Sequence, residues 1–134
     1  MIYPFPAVGV FIFQDESIFL IKKARGIFKG QWCTPGGKIE YGEKILDTVN
    51  REVYEETNLI LKNIRFITYE ETIEKCNNDI KYHFVFFNFA AEVISGIPKA
   101  ADDASEIKLI KLNEIYKYSI SEPTLRTLRL LKLI

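Results

Sequence analysis

Gly37-Lys38-Ile39-Glu40-Tyr41-Gly42-Glu43-Lys44-Ile45-Leu46-Asp47-Thr48-Val49-Asn50-Arg51-Glu52-Val53-Tyr54-Glu55-Glu56-Thr57-Asn58-Leu59 is the stretch on which the reading of this chain turns. The run Glu43–Thr57 has helical spacing, with Ile45, Leu46, Val49 and Val53 along one stripe. Asn58 stands where a helix stops on a left-handed residue, a position that Asn accepts almost as readily as Gly. On such a helix Glu52, Glu55 and Glu56 crowd together, because residues three and four apart are surface neighbours. Three close carboxylates repel one another unless a cation offsets them. Arg51 lies four residues after Asp47 and four before Glu55, so it can bridge both, but it cannot neutralise three acids. A divalent cation can, and hard oxygen ligands suit Mg²⁺ or Mn²⁺ better than zinc. Without that spacing, a Glu/Arg-rich face would be ordinary solvated surface.

On the N-terminal side, Ala7–Phe13 and Ser17–Lys22 read as a hairpin turning at Gln14-Asp15-Glu16. A loop over Ala24–Gln31 leads to Trp32-Cys33-Thr34, then to the sharp break Pro35-Gly36-Gly37, where backbone can approach a partner closely. On the C-terminal side, Leu61–Glu71 and Lys81–Val93 are strand-like around a turn at Cys76-Asn77-Asn78-Asp79. A turn at Ser95-Gly96-Ile97-Pro98 and a loop over Lys99–Ser105 precede a short strand, Glu106–Leu112, and a helical turn at Asn113–Tyr116. Ser121-Glu122-Pro123 opens a last helix, with Ser able to cap and Pro tolerated in the first turn. Leu125, Leu128, Leu130 and Leu131 are expected to dock that helix on the sheet. Mixed strands with helices on their faces make an α/β or α+β sandwich.

The 134 residues suit one domain, 1–134, with a real core. An apolar content of 48%, with ten Phe and seven Tyr, argues against disorder. Eighteen basic and eighteen acidic residues cancel, so bulk charge draws the chain neither to nucleic acid nor to membranes. Cys33 and Cys76 lack metal-ligand spacing and suggest a reducing, cytoplasmic setting. The start, Met1-Ile2-Tyr3-Pro4-Phe5-Pro6, does not read as a signal peptide, and no apolar run reaches membrane-spanning length.

The stretch from Gly37 resembles the Nudix box: Gly, five residues, Glu, seven residues, Arg-Glu, aliphatic, any, Glu-Glu, any, Gly, aliphatic. Gly37, Glu43, Arg51, Glu52, Val53, Glu55, Glu56 and Leu59 all match, and Trp32 with Pro35-Gly36 is similar to the family's lead-in. Asn58 replaces the box glycine, and its tolerance of positive φ implies a kept backbone shape. The resemblance implies an αβα sandwich with a mixed central sheet and a catalytic loop-helix-loop. It also implies a nucleotide pyrophosphohydrolase of MutT-like type, acting on a nucleoside diphosphate linked to another group through water attack at phosphorus. Mg²⁺, with Mn²⁺ as a substitute, is the implied cofactor, and a homodimer the implied assembly.

By that resemblance the metal set is Glu52, Glu55 and Glu56 with the Gly37 carbonyl, and the catalytic set adds Arg51 and Glu43. Glu52 is the implied bridging ligand and a candidate base; Glu43 is placed to orient a water. Asp102, Asp103 or Glu106 could supply one further carboxylate from a late loop, a position where plain loop acids are equally common. Arg25 and Lys29 could bind phosphate and Phe28 could stack on a base, while Trp32 suits either a base or the core. His83 lies in a strand and reads as structural or substrate-facing. Compact length favours a (deoxy)nucleoside triphosphate as substrate. An ADP-ribose or nucleotide-sugar pyrophosphatase is the alternative, weakened by the lack of a proline between Pro35 and Pro98. A non-catalytic nucleotide sensor is a third reading, opposed by the intact carboxylates and the absence of a basic DNA-binding stripe.

Overall fold

The computed structural model describes residues 3–134. Its strands are β1 (Phe5–Gln14), β2 (Ser17–Lys23), β3 (Trp32–Cys33), β4 (Gly36–Lys38), β5 (Ile60–Cys76), β6 (Asp79–Ser95) and β7 (Ala104–Lys111). Helix α1 (Ile45–Thr57) follows β4, and a 3₁₀ turn at Leu112–Lys117 leads to helix α2 (Glu122–Leu130). All seven strands form one mixed sheet, along which the order β3-β2-β1-β6-β5 runs. β1 and β6 are parallel; the β1–β2, β5–β6 and β2–β7 pairs are antiparallel.

The sheet is split where the site forms. β1 and β2 pair only next to their hairpin, from Ile12↔Phe19 to Gln14↔Ser17. Beyond that they diverge, and the segment Trp32–Lys38 fills the gap. Its first part pairs with β2 and its last part with β1, as Ala7↔Lys38, Val8↔Gly37 and Gly9↔Gly36. Val10 N–H donates to the Pro35 carbonyl between them at 2.9 Å. The glycine bend thus lies inside the sheet and is not a surface turn.

Period-two alternation assigns the two faces. Val8, Val10 and Ile12 of β1 join Phe89 and Ala91 of β6 under Val49 and Val53 of α1. Each fully buried valine contributes about 1.5–3 kcal/mol relative to exposure. The opposite face buries Phe11, Ile18, Leu20, Trp32 and Ile110 against Leu128 of α2. The result is a three-layer αβα sandwich, as the sequence implied. Among the described residues, no helix is long and apolar enough to cross a membrane.

Several local expectations are corrected. Helix α1 starts at Ile45, so Glu43 lies before it. Ile45 and Leu46 remain exposed, whereas Thr48 and Thr57 take buried positions. Their hydroxyls make this tolerable: Thr57 Oγ1 donates to the Val53 carbonyl at 2.6 Å, and Thr48 Oγ1 to Glu43. The β5–β6 strands run past the expected ends to Cys76 and Asp79, because Asn77 and Asn78 both adopt positive φ, the geometry of a tight two-residue hairpin. Asn58 ends α1 at φ 64°, as expected. Ser121 precedes α2, but its hydroxyl bonds the Thr124 hydroxyl at 2.7 Å and caps no backbone N–H. Of the four leucines assigned to docking, Leu128 is buried and Leu125 packs beside it, while Leu130 faces solvent.

Candidate active site

Two glycines let α1 reach through the sheet. The Gly36 N–H donates to Glu56 Oε1 at 2.8 Å. A Cβ on Gly36 would stand 1.9 Å from the Val8 carbonyl oxygen, and one on Gly37 would stand 2.5 Å from Glu52 Cδ. Side chains at either position would push the carboxylates or β1 aside. The bend therefore fixes where Glu52 and Glu56 sit.

Arg51 organises the other acids. Its Nε donates to Glu43 Oε2 at 2.7 Å and its Nη2 to Glu43 Oε1 at 2.9 Å, a two-pronged clamp. Nη1 is shared between Glu52 Oε1 at 2.9 Å and Glu55 Oε2 at 3.2 Å, and Nη2 also reaches the Lys38 carbonyl at 3.3 Å. Asp47, expected as a partner, makes no bond to Arg51. Glu43 is closer in space because the chain folds back before α1, and it takes that place. It also accepts from Thr48 Oγ1 at 2.7 Å. Arg51 and then Thr48 hold the Glu43 carboxyl down at about 2, and Glu43 in turn raises Arg51. Both Glu43 oxygens are thus bonded to protein, Oε1 by Arg51, Thr48 and the Glu40 N–H, and Oε2 by Arg51 alone.

Glu56 is the opposite case. It is 1% exposed, and its Oε2 has no hydrogen-bond partner. The nearest cation, Lys23 Nζ, lies 3.9 Å away. Burial pushes the Glu56 carboxyl up to about 8, with Lys23 and the Gly36 N–H only partly opposing it. Glu52 is also raised, by burial against the pull of Arg51. A buried, unpartnered carboxylate oxygen beside a second desolvated carboxylate is a donor set that lacks a cation. Glu52 and Glu56 therefore fit a hard divalent ion. Among the described residues, however, no three acidic, imidazole or thiolate groups converge as a ready cage. Glu55 is the one apart: its side chain is 42% exposed and bound to Arg51.

A cavity of about 600 Å³ opens on the α2 side of the bend, lined by Glu52, Gly36, Gly37, Lys23 and Lys38 at one end. Its wall is a ladder of aromatic rings from β6, Tyr82, Phe84 and Phe86, with centroids 6.2 and 5.5 Å apart and planes tilted 22° and 29°. Lys38 Nζ sits 4.4 Å from the Phe5 ring centroid and 5.8 Å from that of Phe84. The sequence singled out none of Lys23, Lys38 or the ladder. Aromatics at every second position of a strand were a readable signal for the ladder.

The remaining expected residues divide. Arg25, Phe28 and Asp103 line the cavity, and Arg25 forms an ion pair with Asp103. Lys29, Asp102 and Glu106 are exposed and do not line it. Trp32 is 6% exposed and packs edge-on against Tyr118, which removes it as a stacking surface. His83, paired with Ile73, falls between the ladder positions and does not line the cavity. Burial pushes the Cys33 thiol up to about 12, so it stays protonated and inert.

The model of the Nudix domain matches residues 4–130. This chain belongs to the Nudix family. It is a Nudix hydrolase, with the family's pyrophosphohydrolase activity. An ADP-ribose pyrophosphatase of Methanocaldococcus jannaschii is 37% identical over 118 residues, which cover 87% of this chain and 68% of that protein. The nucleoside triphosphatase NudI of Escherichia coli is 27% identical over 128 residues, 89% of this chain and 91% of that one. Among solved structures, a MutT Nudix hydrolase from Burkholderia pseudomallei superposes with a TM-score of 0.86 at 26% identity, covering 95% of this chain and 97% of the other.

Proposed function

We propose that this Nudix hydrolase cleaves a pyrophosphate bond in a nucleoside diphosphate linked to another group, with Mg²⁺ as cofactor and Mn²⁺ as a substitute. One observation carries the reading: Glu56 Oε2, buried and unpartnered, beside the desolvated Glu52 at the mouth of an aromatic-walled cavity. Glu52 and Glu56 would hold the cation, with Glu55 joining if it leaves Arg51, and with the Gly37 carbonyl as the backbone ligand that the family resemblance adds. Bound there, the ion supplies charge neutralisation and Lewis acidity at the phosphates.

The chain's own groups account for the rest. Arg51 holds Glu52 through Oε1, leaving Oε2 able to take a proton from an attacking water. Lys23, Lys38 and Arg25 line the cavity as cations for phosphate oxygens, and the β6 ladder offers a flat apolar surface for a base. Glu43 acts through Arg51 and is a positioning residue. The unpaired thiols of Cys33 and Cys76 agree with a cytoplasmic setting.

ADP-ribose leads the substrate list because the 37%-identical relative carries that name. The nucleoside triphosphates come next, because NudI aligns over nearly all of both chains. The test is release of the nucleoside monophosphate, with ribose 5-phosphate, pyrophosphate or the second nucleotide as the other product, from ADP-ribose, the nucleoside triphosphates and dinucleoside polyphosphates, with and without Mg²⁺. Cation-dependent turnover of any of them is expected. Binding without turnover across the panel would overturn the reading and favour a sensor.

A further inference from the structure

We propose that Asn88 reads the base: its side-chain Oδ1 accepts a hydrogen bond from an exocyclic amino group, so the cavity selects nucleotides whose base carries one. The inference rests on the nucleotide reading above and adds the chemistry of the base to it.

Asn88 follows Tyr82, Phe84 and Phe86 on the same face of β6, at the inner end of the ladder. It is 5% exposed and lines the cavity. A buried amide ordinarily has both ends satisfied. Here the Nδ2 donates to Thr127 Oγ1 of α2 at 3.2 Å, and among the described residues no protein donor reaches Oδ1. Thr127 is itself 1% exposed, and its hydroxyl anchors the Asn88 amide from behind.

The neighbouring strand makes room for that oxygen. Gly9 of β1 is the register partner of Asn88, and a Cβ there would stand 2.6 Å from Oδ1. That Cβ would also stand 3.3 Å from Thr34 Oγ1. The cavity therefore offers the Asn88 Oδ1 acceptor beside a flat π surface, with Thr34 also in its lining. A sugar hydroxyl can donate to that oxygen, but the sugar ring is not flat and does not match the π surface. A heterocycle with an amino group satisfies both, by lying along Phe84 and Phe86 and giving one N–H to Oδ1. An oxo group in that place would set acceptor against acceptor.

Calorimetric titration of the full chain with nucleoside monophosphates tests this without turnover. AMP is compared with purine riboside monophosphate, which lacks only the adenine amino group, and GMP with IMP, which lacks only the guanine amino group. The amino-bearing member of at least one pair should bind about tenfold more tightly. Asn88→Ala should bring that pair to within about twofold. Thr127→Val, which leaves Asn88 in place but frees its amide to turn, should shrink the preference while both nucleotides still bind. Equal binding within both pairs, no binding of AMP or GMP, or a preference that survives Asn88→Ala would overturn the proposal. An inactive substrate panel with the amino preference intact would instead sink the hydrolytic reading and leave this one standing.

Discussion

Glu43 and Glu56 belong to the same loop-helix unit and share one side-chain chemistry, yet their surroundings differ in every physical respect. Glu43 sits before α1 with both oxygens bonded to Arg51 and Thr48, and its carboxyl is held at about 2. Glu56 sits in the last turn of α1, walled in by the glycine bend, with one oxygen unpartnered and its carboxyl at about 8. The first arrangement uses charge to fasten the chain. The second stores an unmet demand for positive charge, which stability alone would not favour. Where a fold keeps a costly group beside a cavity, the group is a candidate for work.

The largest effect expected from disturbing this contrast is on turnover. Glu56→Gln and Glu52→Gln should each lower kcat by roughly 10²–10⁴-fold while the protein stays folded. Glu55→Gln should lose less, because Glu55 is exposed and tied to Arg51; steady-state rates under saturating Mg²⁺ rank the three. An equal loss in Glu55→Gln would mean that its bond to Arg51 breaks in the working enzyme, joining it to the Glu56 set.

Arg51→Ala attacks the fastening side. Glu52 loses its orienting donor and Glu43 its clamp, so activity should fall roughly 10–100-fold and the melting temperature should drop. Arg51→Lys should recover little, since one ammonium cannot reproduce the fork. Kinetics and thermal melts on the two variants check both statements.

The two glutamates should also leave opposite marks on pH-dependent stability. In the metal-free protein Glu56 titrates at about 8 against an ordinary value of 4.5, so between those values the folded state binds more protons than the unfolded one. Stability should therefore fall as pH rises through that window, and Glu56→Gln should flatten the slope. Glu43, lowered to about 2 from 4.5, gives stability that is present above 4.5 and lost as pH falls through its folded value. Melting temperatures across the pH range, in wild type and Glu56→Gln, separate the two.

Asn58→Gly should do least. It relieves a left-handed φ of 64° but removes the Nδ2 bond to the Ile97 carbonyl at 3.1 Å, so stability should change by no more than about 1 kcal/mol. Chemical denaturation measures it.

Much of this was legible in the sequence, for reasons that particular residues explain. The carboxylate run and the Pro-Gly-Gly break announce themselves by spacing, whereas β1, apolar on both faces from Ala7 to Ile12, is readable as a buried strand but not as to which layer each residue meets. What spacing could not give was the acid that meets Arg51 from the N-terminal side. Asp47 satisfies the helical rule, but Glu43 wins because the chain reverses before α1, a tertiary fact. Lys23 and Lys38 were hidden for the same reason: their strands meet only because β1 and β2 splay and Trp32–Lys38 passes between them. Asn88 carries no sequence signal apart from its place after an alternating aromatic run. Thr48 and Thr57 look like surface residues until their hydroxyls are seen to bond backward or sideways into the helix and loop.

The most direct test is the proton count on cation binding. Glu56 at about 8 is largely protonated at neutral pH, so a divalent ion held by Glu52 and Glu56 must displace that proton. Titrating Mn²⁺ into the protein at pH 7, in two buffers of different ionisation enthalpy, should show the release of about one proton per ion in wild type and almost none in Glu56→Gln. Binding in wild type with no proton released, or no binding at all, would contradict the account.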